Sequence, residues 1–253
     1  MLMKTYDIFF QNHHPLWADR LLVWCNKTLF SFLRRQVLSR GPIRVLEIGP
    51  GKGYFYRASQ SSEGISYVAT DRNTSFQTAF PDVEFHQGSV PSLPADIGTF
   101  DMIYAAYVIE HLADGLTLAE FAKNCAEHLR EGGVLVVTCP DALKQQFEFF
   151  NMDYTHRYPT TERNVTMALS DSGFVSTRIY PISGLLTLPG FYVRPVFWLL
   201  RISMFWYHHR WMQFLFGWLV RVPLSSLQNP FYRFYCLAKQ ENLLFIAKKQ
   251  SHQ

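Results

Sequence analysis

Short runs of apolar, β-branched residues alternate with helix-patterned stretches through most of this chain, and that alternation limits the fold more than any other feature. The strand candidates are 43–48 "IRVLEI", 65–71 "ISYVATD", 83–88 "VEFHQG", 100–106 "FDMIYAA" and 133–140 "GVLVVTCP". Helical patterns lie between them, the clearest being "LTLAEFAKNCAEHLR" at 116–130. Strands that read as near-continuous apolar runs, each followed by a helix, build parallel sheets covered on both faces. Two further strands are expected at 173–180 and 242–249, and a helix over 16–38, ending before "SRGP". The expected fold is therefore α/β, a doubly wound, mostly parallel sheet of seven strands. Its organisation is an N-terminal helical segment (1–40), a sheet domain (41–180 with 241–250) and an insert (181–240).

The insert differs chemically from the rest. No Asp or Glu occurs from Ser172 to Gln240, while six arginines and one lysine do, so this stretch carries +7 of a net +4 and leaves −3 elsewhere. Opposite charge in two parts of one chain suggests two tasks. Within 185–222, Arg194, Arg201 and His208 recur every seven residues, with Trp198, Trp206, Trp211 and Trp218 around them. Cations and interfacial aromatics without acids suit an anionic membrane surface; a hydrophobic cover or a subunit interface is the competing reading. Arginines interrupt the segment too often for a membrane span. It is too apolar for a nucleic-acid patch, so no nucleic-acid partner is expected. The four cysteines form no C-x-x-C pair, which fits a reducing compartment, and the N-terminus lacks the pattern of a secretion signal. The expected location is cytoplasmic, at the inner face of a membrane.

The first strand runs into "GPGKG", with Gly49, Gly51 and Gly53 spaced two apart and Glu47 inside the strand. Glycines at such a turn let the backbone approach a ligand closely. A phosphate loop requires G-x-x-x-x-G-K-S/T, which is absent. A dinucleotide fingerprint requires a third glycine where Tyr56 stands. The remaining reading is a nucleoside with a cationic end, for which the charge of Glu47 is suited. Asp71, at the end of the next strand, is placed to accept from ribose hydroxyls; otherwise it is a helix N-cap.

Together "VLEIGPGKGYF", "ATDRN", "VEFHQGSVPSLP", "FDMIYAAYVIEHL" and "LREGGVLVVTCPD" resemble, in order and spacing, the class I S-adenosylmethionine-dependent methyltransferases, over residues 43 to about 180 and the final strand. Within them the chain looks most like the group of small-molecule, quinone-precursor and glycan methyltransferases. The resemblance implies a Rossmann-like methyltransferase fold and S-adenosylmethionine as cofactor. It assigns Glu47, Gly49, Gly51 and Gly53 to the methionine end, Asp71 to the ribose, and Arg72, Gly88, Ser89 and Val90 to the adenine. The family usually has an acid where Ser89 stands. Ala105 and Ala106 would meet the methionine part through their backbone.

Methyl transfer from a sulfonium needs alignment, and a hydroxyl acceptor benefits from a base. Two places offer one: Glu110 and His111 in "VIEHL", and His156 in "NMDYTHRYPTT", with Asp153 and Arg157 beside it. Glu110 and His111 could equally brace a helix, and His156 could be a packing residue of its loop. Some quinone-precursor methyltransferases bind a metal through this acid and histidine with a second acid one turn earlier; Tyr107 occupies that position, so no metal is expected. The expected function is O-methylation of a lipid-linked saccharide or other amphipathic small molecule. Methylation of a quinone precursor or other small molecule is the alternative within enzymes. A non-catalytic cofactor-binding partner on a membrane is the alternative outside them. The sequence leaves the oligomeric state open.

Overall fold

The computed structural model describes residues 16–37, 41–182 and 241–250. The chain runs α1 (Leu16–Arg34), β1 (Ile43–Ile48), α2 (Tyr54–Ser59), β2 (Ile65–Asp71), α3 (Ser75–Ala79), β3 (Glu84–Gln87) and β4 (Phe100–Ala106). After a 3-10 turn (Ile109–His111) come α4 (Gly115–His128), β5 (Leu129–Pro140), α5 (Ala142–Gln145), α6 (Glu148–Met152), α7 (Glu162–Asp171), β6 (Phe174–Ile182) and β7 (Asn242–Lys249). The seven strands form one sheet in the order β3-β2-β1-β4-β5-β7-β6. β1 to β5 pair in parallel, and β7 runs antiparallel between β5 and β6.

Central strands are buried on both faces, which is why β1, β4 and β5 read as mostly apolar runs, interrupted by few charged residues, rather than as alternating patterns. On one face α4 and α7 pack over Leu46, Ile103 and Leu135. Helix α4 begins at Asp114, whose carboxylate accepts from the Thr117 amide at 2.8 Å, and it buries Leu118, Phe121, Ala122, Cys125 and Ala126. On the other face α1 turns Leu22, Cys25, Leu29, Phe30 and Leu33 inward, a spacing of three and four that keeps one stripe on the core. Phe30 meets Phe55 of α2 edge to face at 5.4 Å, and Asp19 accepts from both terminal nitrogens of Arg57 at 2.9 and 3.0 Å.

Several boundaries differ from the sequence reading. The first helix ends at Arg34 rather than 38, and β6 covers Phe174–Ile182 rather than 173–180, reaching into the stretch expected as insert. The helix expected to 130 stops at His128, and β5 starts at Leu129 instead of 133. Gly132 takes a φ of 69°, and a Cβ on Gly133 would come within 2.9 Å of the Arg130 carbonyl, so this pair carries an irregularity that the strand absorbs. Strand β3 is shorter than expected, at four residues. The aromatic segment 185–222 lies outside the described residues. Among those described, no helix is long and apolar enough to cross a membrane.

Candidate functional site

The order β2-β1-β4 reverses direction at β1, so the C-terminal ends of β1 and β4 diverge and leave a crevice where doubly wound sheets bind ligands. The glycine turn fills that edge. Gly49, Gly51 and Gly53 have φ of 70°, 51° and 71°, a region that side-chain-bearing residues rarely adopt. Their surroundings separate them. A Cβ on Gly53 would strike the Phe80 ring at 2.6 Å, and one on Gly49 would press on Val108 at 3.1 Å. At Gly51 it would meet nothing within 4 Å, so that position faces open space.

Glu47 is 3% exposed and accepts a short hydrogen bond from the Tyr67 hydroxyl on the neighbouring strand. Burial pushes its carboxyl up to about 8, against the Tyr67 bond, which favours the charged form, and with a further push from Asp71. Asp71 ends β2 and accepts from the Asn73 amide at 2.9 Å; burial raises its carboxyl, and that amide offsets part of the rise. The Arg72 carbonyl accepts from Gln87 at 3.1 Å, and the Gly88 amide donates to the Asp71 carbonyl at 3.0 Å. Ser89 and Val90 continue from there, with Val90 against the core. Ala105 pairs in register with Ile48, and Ala106 closes β4. The structure thus brings every cofactor-side candidate to one edge of the sheet. It adds Thr70, whose buried hydroxyl has no hydrogen-bond partner among the described residues, and Tyr67 as the holder of Glu47.

Beyond the C-terminal end of β4 the acid and the histidines meet. Glu110 is 1% exposed, neither of its carboxylate oxygens has a hydrogen-bond partner of good geometry among the described residues, and burial raises it to about 8, with its own backbone amide offsetting part of the rise. Its carbonyl accepts from the amides of Arg157 at 2.9 Å and Tyr158 at 3.1 Å, which ties the loop after α6 to the 3-10 turn. That tie brings His156 beside His111, with ring centroids 5.1 Å apart. His156 Nδ1 lies 2.6 Å from the Phe149 carbonyl, which can only accept, so Nδ1 carries the proton. Thr155 Oγ donates to Asp153 at 2.7 Å and therefore accepts from His111 Nδ1 at 2.9 Å. Both rings are held through Nδ1, which leaves Nε2 of each as the atom that can take a proton or a ligand. Burial holds His111 below its usual range. One donor atom from each of Glu110, His111 and His156 falls within 4.8 Å of the others. Tyr107, between β4 and this cluster, has a φ of 55°, an unusual conformation for a bulky residue.

The sequence pointed to all three of these residues but not to what orients them. Thr155, Asp153 and the Phe149 carbonyl become recognisable only when the loop is folded back.

A methyltransferase-domain family model matches residues 17–178. A probable S-adenosylmethionine-dependent methyltransferase of Mycobacterium tuberculosis is 30% identical over 138 residues, covering 52% of this chain and 48% of that protein. One from Mycolicibacterium smegmatis is 31% identical over 140 residues, covering 51% and 52%. The chain spans about half the length of these curated relatives. Among solved structures, an S-adenosylmethionine-dependent methyltransferase from Archaeoglobus fulgidus superposes with a TM-score of 0.54 at 18% identity, covering 88% of this chain and 92% of that one. Phosphoethanolamine N-methyltransferase 2 of Haemonchus contortus, in complex with S-adenosyl-L-methionine, gives 0.58 at 14% identity, covering 97% and 60%. At these identities the superpositions establish the fold. The open direction at Gly51, the unpartnered Thr70 hydroxyl and the Asp71 carboxylate fit the cofactor that such a fold implies. With the sheet order, the glycine turn and a family match over most of its length, the chain belongs to the methyltransferase-domain family of class I S-adenosylmethionine-dependent methyltransferases.

Proposed function

We propose that this protein methylates a hydroxyl group on an amphipathic acceptor, a lipid-linked saccharide or a comparable small molecule, at an anionic membrane surface. The observation that carries the reading is the pair of imidazoles, His111 and His156, each fixed through Nδ1 with Nε2 left for a proton. Bound S-adenosylmethionine supplies an already activated methyl group. The chain's own residues then have two tasks: to hold the donor and to prepare the acceptor oxygen. Glu47, Gly49, Gly51 and Gly53 would hold the methionine end, Asp71 the ribose, and Arg72, Gly88, Ser89 and Val90 the adenine, with Ala105 and Ala106 contributing backbone. His156 or His111 would take the hydroxyl proton at Nε2, and Glu110 would face the acceptor as a neutral acid.

Two features support an amphipathic acceptor. Leu143, Phe147, Phe150 and Tyr154 are 72%, 89%, 52% and 67% exposed along the segment from α5 to the loop after α6, the segment that leads to His156. Exposed apolar residues gathered at the mouth of a site mark contact with an apolar ligand or surface. The basic aromatic sequence 185–222 adds affinity for anionic lipid.

The test is turnover against cofactor binding. His156→Ala should lower the methylation rate by about 10²-fold or more and leave the S-adenosylmethionine dissociation constant within about twofold, as expected for loss of a general base. Methylated product is sought by a 14-dalton mass shift in lipid and glycan extracts. Normal turnover in both His156→Ala and His111→Ala removes the base. Cofactor binding with no methylated product in any extract favours a non-catalytic binding protein.

A further inference from the structure

We infer that Glu110, His111 and His156 form a binding site for one borderline divalent cation of the zinc class. Four observations point the same way. The side chains are two imidazoles and one carboxylate, a donor set suited to zinc, cobalt or ferrous ions rather than to magnesium or calcium. Both imidazoles are already oriented as metal ligands usually are, with Nδ1 held and Nε2 open. The holding groups are a carbonyl for His156 and, for His111, a threonine relayed to the Asp153 carboxylate. Finally, Glu110 is buried with neither carboxylate oxygen meeting a hydrogen-bond partner of good geometry among the described residues, a costly arrangement that an ion would relieve.

The donor atoms, within 4.8 Å of one another, stand wider than the ~3.5 Å typical of ligands on one tetrahedral zinc. Binding therefore requires them to close in. Three protein ligands leave a fourth position open, as in catalytic rather than structural zinc sites. A hydroxyl placed there would lose its proton to water more readily, and with the ion bound this activation would replace the base role given above to His111 or His156, whose Nε2 lone pairs would then be ligands. The set needs no acid at position 107. His156, 45 residues beyond His111, supplies the third donor from a different loop. That the ion sits beside the acceptor rests on the function proposed above; its binding does not.

The experiment uses the full chain after chelation. Cobalt(II) is titrated in, the visible d–d absorption is read, and zinc is then added as competitor. Wild type should bind one cobalt per chain, displaced by zinc. Glu110→Gln, His111→Ala and His156→Ala should each weaken cobalt binding at least about 10²-fold. Thr155→Val, which touches the ion only through His111, should weaken it about 10–100-fold, the usual scale for second partners of ligating histidines. His128→Ala, at the end of α4 and outside the cluster, should bind as wild type. If His156→Ala fails to fold, His156→Asn replaces it. Absence of a cobalt spectrum in wild type, or an unchanged affinity in the His156 variant, overturns the site. Intact one-to-one binding in a protein without methylation activity keeps the site and rejects the function.

Discussion

At the scale of single residues, Glu47 shows how burial sets chemistry. In the unfolded chain its carboxyl ionises in the usual range near 4.5; in the folded protein burial lifts it to about 8. Between those values the folded state holds a proton that the unfolded state has released. The stability contributed by the neutral acid is thus complete below about pH 4.5 and is lost as pH rises through 8. The cofactor-free protein is expected to melt at progressively lower temperature from pH 5 to 8, with a shallower decline in Glu47→Gln. Glu110, raised to about 8 for the same reason, keeps part of the slope in that variant. A cationic ligand beside Glu47 favours its charged form. Cofactor binding should therefore tighten as pH rises from 6 to 8 and release a proton, measurable by calorimetry in buffers of different ionisation enthalpy. Glu47→Gln should bind independently of pH across that window. Because the Tyr67 bond favours the charged carboxylate, Tyr67→Phe should push the same transition to higher pH.

At the scale of elements, the turn between β1 and α2 combines two kinds of glycine that look alike in sequence. Gly53 serves packing, because a Cβ there collides with Phe80 and presses on Phe76. At Gly51 the Cβ direction is open, which leaves room for the cofactor contact proposed above. Both share the cost of a left-handed backbone, about 1–2 kcal/mol for a residue with a Cβ. Gly53→Ala should lose more stability than Gly51→Ala, since strain and collision add. Gly51→Ala should keep a cooperative melt while losing at least about tenfold in S-adenosylmethionine affinity. Thermal unfolding and calorimetry on the two variants check the ordering; equal stability losses with equal cofactor affinities would remove the distinction. The loop after α6 is a second case. Two backbone amides donate to the Glu110 carbonyl and so place His156, a contact that no local sequence pattern records.

At the scale of the whole molecule, the electrostatic division of the chain makes a prediction about where it works. If residues 185–222 lie against anionic lipid, each arginine should contribute about 1 kcal/mol to surface binding at low salt. Replacing Arg194, Arg201 and Arg210 together by Gln should release the protein from anionic vesicles with little change in melting temperature. Replacing Trp206 and Trp211 by Ala should weaken vesicle binding even at high salt, because that contribution is apolar burial. A role for those tryptophans in a core would instead cost several kcal/mol of stability. Co-sedimentation with vesicles decides, and wild-type protein left in the supernatant at low salt rejects membrane contact.

What the sequence determined by itself was whatever depends on neighbours along the chain. The β1, β2, β4 and β7 spans match the expected boundaries because buried parallel strands need apolar runs and their ends need turn residues. The placement of the glycine turn, Glu47 and Asp71 at strand ends was legible because it follows from their position relative to an apolar run. The tertiary structure alone decided what depends on distant partners. The place of β7 between β5 and β6 is set by pairing across the sheet, which leaves no periodic signal of its own. The hydroxyl of Tyr67 on Glu47 joins residues 20 apart on adjacent strands. The meeting of Glu110, His111 and His156, and the Thr155 and Phe149 contacts that fix the two rings, exist only once the loop returns to the sheet edge. Hydrogen bonds and ligand geometry are short-ranged in space and indifferent to sequence separation, so only the folded chain could show them.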